Sequence, residues 1–524
     1  MEEQQKFPFQ FQVKSAVQTY VVSRAKFPEK ESGDESPHSN GPDSRVVNCE
    51  VFYIGSLEFI SGSVLIHRIA ARSLSSMRRF IQHFQHLMIT SVLVFSGLFA
   101  ICTEARAGEQ DWPQWRGPLG TGYAPESDPP VEWSESKNVR WKVALPGKGH
   151  STPLVLGDRI FLTTAIPYGE PLPPIYSSAP GTHDGEPVTQ RHEFVVLALS
   201  RRDGTVLWQK SVHKKLPHEG GHYTASLASN SAVTDGTHLF AYFGSHGLYC
   251  LDLQGEMIWQ KAFGEMQTKH GHGESSSPVV YGDNLFINWD HDGPCFVAAF
   301  DKRTGRQVWK VDRDEETSWS SPIVVENEGR AMLIVAGTNR VRAYDPATGS
   351  VIWECGGLSS NIVATPVAGD GMLFAGSSYE KKAFLAIRLD GAKGDITGSD
   401  RVAWTRNRGT PYVPSPLLYG DALYYLSHYQ GVLSRVDTVT GVDKPGTVRL
   451  GNVGNIYASP VAGGGRVYVT DLEGNTIVVS HDDHPEVLAF NSLNDEFAAS
   501  AAIVGRELFL RGKKYLYCIA DDTQ

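Results

Sequence analysis

A chain of 524 residues holding 52 Gly, 29 Pro, 20 Tyr, 23 Phe and 11 Trp is rich in turn formers and aromatics, which points to many short strands joined by tight turns. A formal net charge of −10 gives no basic footprint for neutralising phosphates, so nucleic acid is set aside as a partner. Six cysteines (Cys49, Cys102, Cys250, Cys295, Cys355, Cys518) show no C-x-x-C spacing and no adjacent pair, so they read as thiols buried in strands rather than as a zinc site or a disulfide framework.

Residues 1–76 mix polar tracts with scattered apolar patches and show no sustained helical or strand period, and are expected to be disordered or an extension of the gene model ahead of a translation start at Met77. Residues 77–107 carry the three parts of a secretory signal. Arg78 and Arg79 form the positive end, Leu87 to Ile101 the apolar run, and Ala105-Arg106-Ala107 the small-residue cleavage site. The mature chain is therefore predicted to begin at Gly108 and to reach the periplasm or cell envelope. It would touch a membrane only through this segment if it stayed uncleaved. Residues 108–137 form a lead-in, opening with Trp112-Pro-Gln-Trp115-Arg-Gly117-Pro118.

From residue 138 to 524 the chain repeats itself. Each unit opens on a small residue followed by Pro or Ala and a β-rich run, as at Ser151-Thr-Pro153, Ser231-Ala232, Ser277-Pro278, Ser321-Pro322, Thr365-Pro366, Ser415-Pro416, Ser459-Pro460 and Ser500-Ala501. A Gly-Asp or similar turn and a second apolar strand usually follow, which is a hairpin signal. A third strand leads through Ala-x-Asp-x-x-Thr-Gly to a strand bearing Trp. Ala299, Asp301, Thr304, Gly305 and Trp309 form one copy, and Ala343, Asp345, Thr348, Gly349 and Trp353 another. Looser copies end at Trp208, Trp259 and Trp404. Eight units of about four strands predict an all-β, eight-bladed β-propeller, because a twisted sheet of this size buries its faces only against neighbours around an axis. Trp141 precedes the first opening strand, and the last unit lacks a Trp strand. Asn138 to Leu145 is thus predicted to supply the outer strand of the last blade and close the ring.

The Ala-x-Asp-x-x-Thr-Gly-x-x-x-Trp pattern resembles the tryptophan-docking motif of pyrroloquinoline-quinone (PQQ) propellers, the quinoprotein alcohol dehydrogenase-like superfamily, whose cofactor-free relatives include the outer-membrane assembly lipoprotein. The lead-in at Trp112 is similar to that of exported propellers from planctomycete-type environmental bacteria. The likeness spans roughly residues 112–520 and carries fold rather than activity. For the dehydrogenases it implies a vicinal Cys-Cys disulfide against the quinone, a calcium site and an Asp base. This chain has no adjacent cysteines, and the calcium ligands cannot be assigned, which removes the main support for quinone redox chemistry.

In a propeller the loops leading into the first strand and those between the second and third strands share one rim. That places His222, Tyr223, His272, Glu274 and Trp319, together with His246, Asp290, His291, Asp292 and His428, around the mouth of the channel as ligand-binding candidates. Imidazole with carboxylate suits a first-row metal or acid–base work, with His272, His291 and Asp290 the metal candidates. The bland alternative is polar residues gathered in loops. Tyr223, Trp319, Tyr412 and Tyr457 would give a stacking floor for a sugar. A long Pro-rich insertion between Pro167 and Glu193 is expected to reach over the same rim as a lid or as decoration. No P-loop, Gly-x-Ser-x-Gly or HExxH occurs. The expected function is an exported binding scaffold whose partner is a small molecule, a glycan or an envelope protein. The alternatives are a quinoprotein-type or metal-assisted enzyme on a sugar or polyol, with PQQ or a divalent metal as cofactor, and an envelope protein assembly factor.

Overall fold

The computed structural model describes residues 111–427, 431–445, 447–451 and 453–521. The expected extension, the signal segment and His428 lie outside these residues. Eight four-stranded antiparallel sheets succeed one another along the described chain. Blade one is Leu154–Leu156, Arg159–Tyr168, Arg191–Ser200 and Val206–Lys215. Blades two to seven open at Val233–Thr234, Val279–Tyr281, Ile323–Asn327, Val367–Gly369, Leu417–Tyr419 and Val461–Gly463. Blade eight is Ala502–Val504, Glu507–Arg511 and Tyr515–Ala520, completed on its outside by Val139–Ala144 in the register Trp141 to Cys518 and Val143 to Leu516. The eight blades and the closing strand are those the repeat predicts. Helix is confined, among the described residues, to the single turns Gly244–His246 and Lys269–Gly271.

The small residue that opens each unit has a definite task. The backbone N–H of Thr152 donates to Ser231 Oγ at 2.9 Å, that of Ser231 to Ser277 Oγ, of Ser277 to Ser321, of Ser321 to Thr365, of Thr365 to Ser415, of Ser415 to Ser459, and of Ser459 to Ser500. These bonds of 2.8–3.1 Å form a hydroxyl girdle joining each innermost strand to the next. Pro follows because the strand edge facing the channel needs no donor there. Across the seam from blade eight to blade one the guanidinium of Arg511 donates to Ser151 Oγ and, at 3.3 Å, to its carbonyl. Arg511 is 2 % exposed, and burial lowers its pKa to about 9.

At the outside of the ring the tryptophans dock as the motif predicts, with one refinement. The Thr-Gly turn that receives an indole belongs to the next blade. Trp259 Nε1 donates to Lys302 O at 2.9 Å, Trp309 Nε1 to Pro346 O at 3.0 Å, and Trp208 and Trp404 likewise to Leu253 and Thr438. A Cβ at Gly305 would lie 2.7 Å from the Trp259 ring, and φ there is +68°, so both the turn and the ring demand glycine. Asp301 shapes the turn by accepting from the Thr304 N–H and hydroxyl at 2.9 and 2.8 Å. Trp141 on the closing strand makes the same bond to Arg201 O of blade one.

Trp353 departs from the pattern. Blade five enlarges the receiving turn to residues 389–401, whose Gly394–Asp395 adds a parallel fifth strand to blade four. The Trp353 indole is fully buried in a core cluster that also holds Leu389, Ala392 and Ile396 of this enlarged turn, and its Nε1 has no partner. It is core rather than a docked ring. Blades six and seven carry no Trp on their outer strands, and Trp133 of the lead-in packs instead on Tyr468 of blade seven, held by Asn491 through the Trp133 N–H and the Val131 carbonyl.

The rest of the lead-in plugs the channel. Trp112 pairs with Val155 of blade one through both backbone groups, and Ala124 N–H reaches Ala462 O of blade seven. Between them Arg116, 1 % exposed, donates to the carbonyls of Pro416, Pro460 and Thr121 at 2.8, 2.7 and 3.0 Å, with burial lowering its pKa to about 9. Trp115 Nε1 donates to the girdle hydroxyl of Thr365. The segment thereby ties blades one, five, six and seven together across the axis.

Candidate functional site

With the plug as its floor, the channel opens into a mouth walled by the girdle hydroxyls and by Trp319, Tyr412, Tyr457 and Trp115, enclosing about 240 Å³. A second cavity of about 130 Å³ lies beside it, in the crevice between blades one and two. The two share Ala225, His222, Gly273 and Glu274 as a common wall.

The insertion of blade one is folded over this side cavity. Gly185–Glu186 pairs antiparallel with Gly221–His222, Tyr223 N–H donates to Asp184 O at 2.9 Å, and Ile175 and Val188 bridge across the insertion's own base. Lys148 holds the lip by reaching Glu186 at 3.3 Å and the Tyr223 carbonyl at 3.2 Å. A Cβ at Gly220 would strike the Glu186 carbonyl at 1.9 Å, so glycine sets this close approach. The segment is an ordered cover, and it brings a residue that the sequence reading does not single out: the His183 ring lies 5.0 Å from that of His270 and 4.8 Å from that of His272.

Of the rim residues expected from sequence, His222, His246, His272, Glu274 and Trp319 come together around the two cavities. Tyr223 stands at the lip with 49 % of its surface exposed. His222 N–H donates to the His272 carbonyl at 3.1 Å, and Trp319 Nε1 to Gly273 O at 2.7 Å, which ties the leading loops of blades two, three and four. The His246 ring stacks 4.1 Å from Phe194, and burial drives its pKa down to about 2. His272 is pushed to about 4, first by burial and then by the neighbouring histidines. Glu274 accepts from Ser245 N–H at 2.6 Å, and burial raises its carboxyl to about 7. His218, on the loop before blade two, comes within 3.9 Å of that carboxyl while bonding the Met266 carbonyl at 2.7 Å.

Asp290, His291 and Asp292 face elsewhere. Arg313 grips both oxygens of Asp290 at 2.8 and 3.0 Å and also bonds the Tyr344 hydroxyl, forming a fully buried network between blades three and four. His291 Nδ1 accepts from Gln267 N–H at 3.2 Å, and Asp292 from the Thr317 hydroxyl at 2.7 Å. These bonds hold the loop together, and neither cavity is lined by the three residues. The convergence expected of three successive blades thus leaves out the blade-three hairpin. Sequence alone could not separate the two sets, because both are His and carboxylate in loops of one rim.

Among the described residues no group of three or more His, Cys, Asp or Glu is arranged to hold a metal ion. The mouth does not fit PQQ either. That quinone carries three carboxylates, whereas no Lys or Arg lines the mouth, and His150 and His272 are held neutral by burial at about 3 and about 4.

The ring of docked tryptophans defines a PQQ-type eight-bladed propeller. The family described as outer membrane protein assembly factor BamB matches residues 127–288, 192–441 and 295–484, and the chain belongs to it. Among solved structures, quinohemoprotein alcohol dehydrogenase from Comamonas testosteroni is 11 % identical over 80 % of this chain and 82 % of its own, with a TM-score of 0.53. A europium-containing methanol dehydrogenase is 12 % identical over 77 % and 89 %, with 0.50, and BamB from Moraxella catarrhalis 13 % over 69 % and 98 %, with 0.45. At these identities the likeness is one of fold. No curated protein matches the sequence.

Proposed function

We propose that the protein is an exported binding scaffold of the periplasm or cell envelope, holding its ligand at the His-lined mouth of blades one to three. The observation that carries this reading is the pair of joined cavities into which a rim of otherwise repetitive loops departs from repetition, with buried ring nitrogens of His218 and His246 left unpartnered beside them. Export rests on the signal-like segment and on membership of an envelope assembly family. The test is elemental analysis of dialysed, secreted protein, with PQQ absorbance titration and glycan-array binding on the same sample. Saturable glycan binding without stoichiometric metal or quinone is expected, with an N-terminus at Gly108. Stoichiometric metal or saturable quinone overturns the reading.

A second reading draws on Glu274 and His218. A carboxyl poised at about 7 and an imidazole 3.9 Å away form an acid–base pair, the equipment of an enzyme acting on a sugar or polyol. Turnover of a bound glycan that disappears in Glu274→Gln would establish it. The family also makes an envelope protein the rival partner, and pull-down with outer-membrane proteins in place of glycans decides between them.

A further inference from the structure

The side cavity is the part of the mouth whose chemistry is most narrowly set. Its walls are His218, His246, Glu274, Asn230, Leu227 and Phe243, with Pro187 and Val188 of the insertion as roof. Its volume of about 130 Å³ compares with about 10–15 Å³ for one water on the same measure, so it has room for a sugar ring rather than a lone solvent molecule. The Nδ1 atoms of His218 and His246, both of which line this cavity, are buried without partners. His246 is 4 % exposed. Native interiors leave few such atoms, and a group of them at one cavity calls for a polar occupant.

We infer that this side cavity binds one uncharged, polyhydroxylated ring, the terminal residue of a neutral glycan whose remaining residues lie across the channel mouth. The inference rests on the mouth being the ligand site, and narrows it. Charge of either sign is penalised inside, because the charged groups of the lining are already matched within the chain: Lys148 is spent on Glu186, Glu219 accepts from the hydroxyls of Thr268 and Ser177, and burial holds His246 neutral and Glu274 largely protonated below about 7. Hydroxyls can serve both as donors to the histidine nitrogens and as acceptors from the carboxyl, while Leu227, Phe243 and Val188 offer apolar faces to ring C–H groups. Ala225 stands at the neck between the two cavities, and in the mouth beyond it Trp319, Tyr412 and Tyr457 present rings on which further residues stack.

The experiment is calorimetric titration of the secreted protein with D-glucose, N-acetyl-D-glucosamine and myo-inositol, against D-glucuronate and D-glucosamine as charged counterparts. At least one neutral probe is expected to bind saturably, and its charged counterpart at least about tenfold more weakly. Ala225→Leu closes the neck and is expected to abolish that binding. His246→Phe keeps the stack on Phe194, removes Nδ1, and is expected to weaken binding about tenfold. Equal binding of charged and neutral probes, or neutral binding indifferent to both substitutions, overturns the inference, as does no saturable binding of any neutral probe at millimolar concentration. Trp319→Ala separates the two levels. If it abolishes binding that Ala225→Leu leaves intact, the mouth stands and the side cavity falls; the opposite pattern retains the cavity and dismisses the mouth.

Discussion

The hydroxyl girdle and the His-lined rim adjoin one another, yet they are built on opposite principles. In the girdle one short residue recurs in blade after blade, each hydroxyl accepting from its neighbour's backbone. At the rim of blades one to three nothing recurs: the insertion, the turn Lys269–Gly271 with His270 at φ +59°, and His218 are each unique, and ring nitrogens stay unpartnered. The girdle satisfies its polar groups within the chain and so serves stability. The rim leaves polar groups for something else to satisfy.

This contrast breaks first at the ring's closure. Deleting Asn138–Leu145 removes the outer strand of blade eight and the docked Trp141, exposing the Tyr515–Ala520 edge. Complete loss of the cooperative transition is expected, with aggregation, read by calorimetry and light scattering. A soluble cooperative monomer would refute the closing role. The tryptophans come next. Trp353→Ala empties a fully buried site and is expected to destabilise by about 5 kcal/mol, and Trp309→Ala, whose side chain is only partly buried, by about 3 kcal/mol. Urea denaturation checks the order, and equal losses would show that docking and core burial are equivalent.

Why the girdle side was legible in sequence and the rim was not follows from the same contrast. A hydroxyl before Pro, an Asp-x-x-Thr-Gly turn and a Trp each solve a local problem in the same way in most blades, so repetition exposes them. Trp353 misled for the converse reason: its own strand matches the motif, but docking depends on the turn of the following blade, which is enlarged to residues 389–401 and contributes Leu389, Ala392 and Ile396 to the core around the indole. The rim set divides similarly. His246 and Glu274 line the cavities, whereas Asp290 lies against Arg313, a residue 23 positions on that the local motif does not contain. His183 was hidden in an insertion whose fold depends on pairing with Gly221–His222.

Acid sharpens the comparison at intermediate magnitude. His150 and His246 are held at about 3 and about 2 in the folded chain, against 6.5 for an ordinary imidazole. Unfolding lets each bind a proton below pH 6.5, so stability is lost as pH falls, by about 1.4 kcal/mol per pH unit for each. Glu274 acts oppositely. Raised from 4.5 to about 7, its carboxyl keeps a proton that the unfolded chain releases, so its contribution is full below pH 4.5 and is lost as pH rises through 7. Opposed, these groups place the stability maximum near pH 6.5, with a shallow fall to 4.5 and a steeper one below. Glu274→Gln removes the opposing group and is expected to steepen the fall between 4.5 and 6.5. An unchanged profile would mean that Glu274 is ionised in the folded protein.

The smallest effects decide whether rim and girdle differ in kind. Ser415→Ala leaves the buried N–H of Thr365 without its acceptor, a loss of about 1–2 kcal/mol. His291→Ala is expected to resemble it, because the Gln267 N–H loses its acceptor in the same way. His272→Ala removes a ring whose Nε2 has no partner and whose other nitrogen bonds only the His183 backbone of the insertion, so a smaller loss, about 0.5 kcal/mol, is expected. Urea midpoints at constant slope measure all three. The two histidines were equivalent by sequence, and their separation by stability would assign His291 to the scaffold and His272 to the ligand. A loss at His272 as large as at Ser415 would instead make the rim part of what holds the ring together, and its unpartnered nitrogens would need another explanation than a bound molecule.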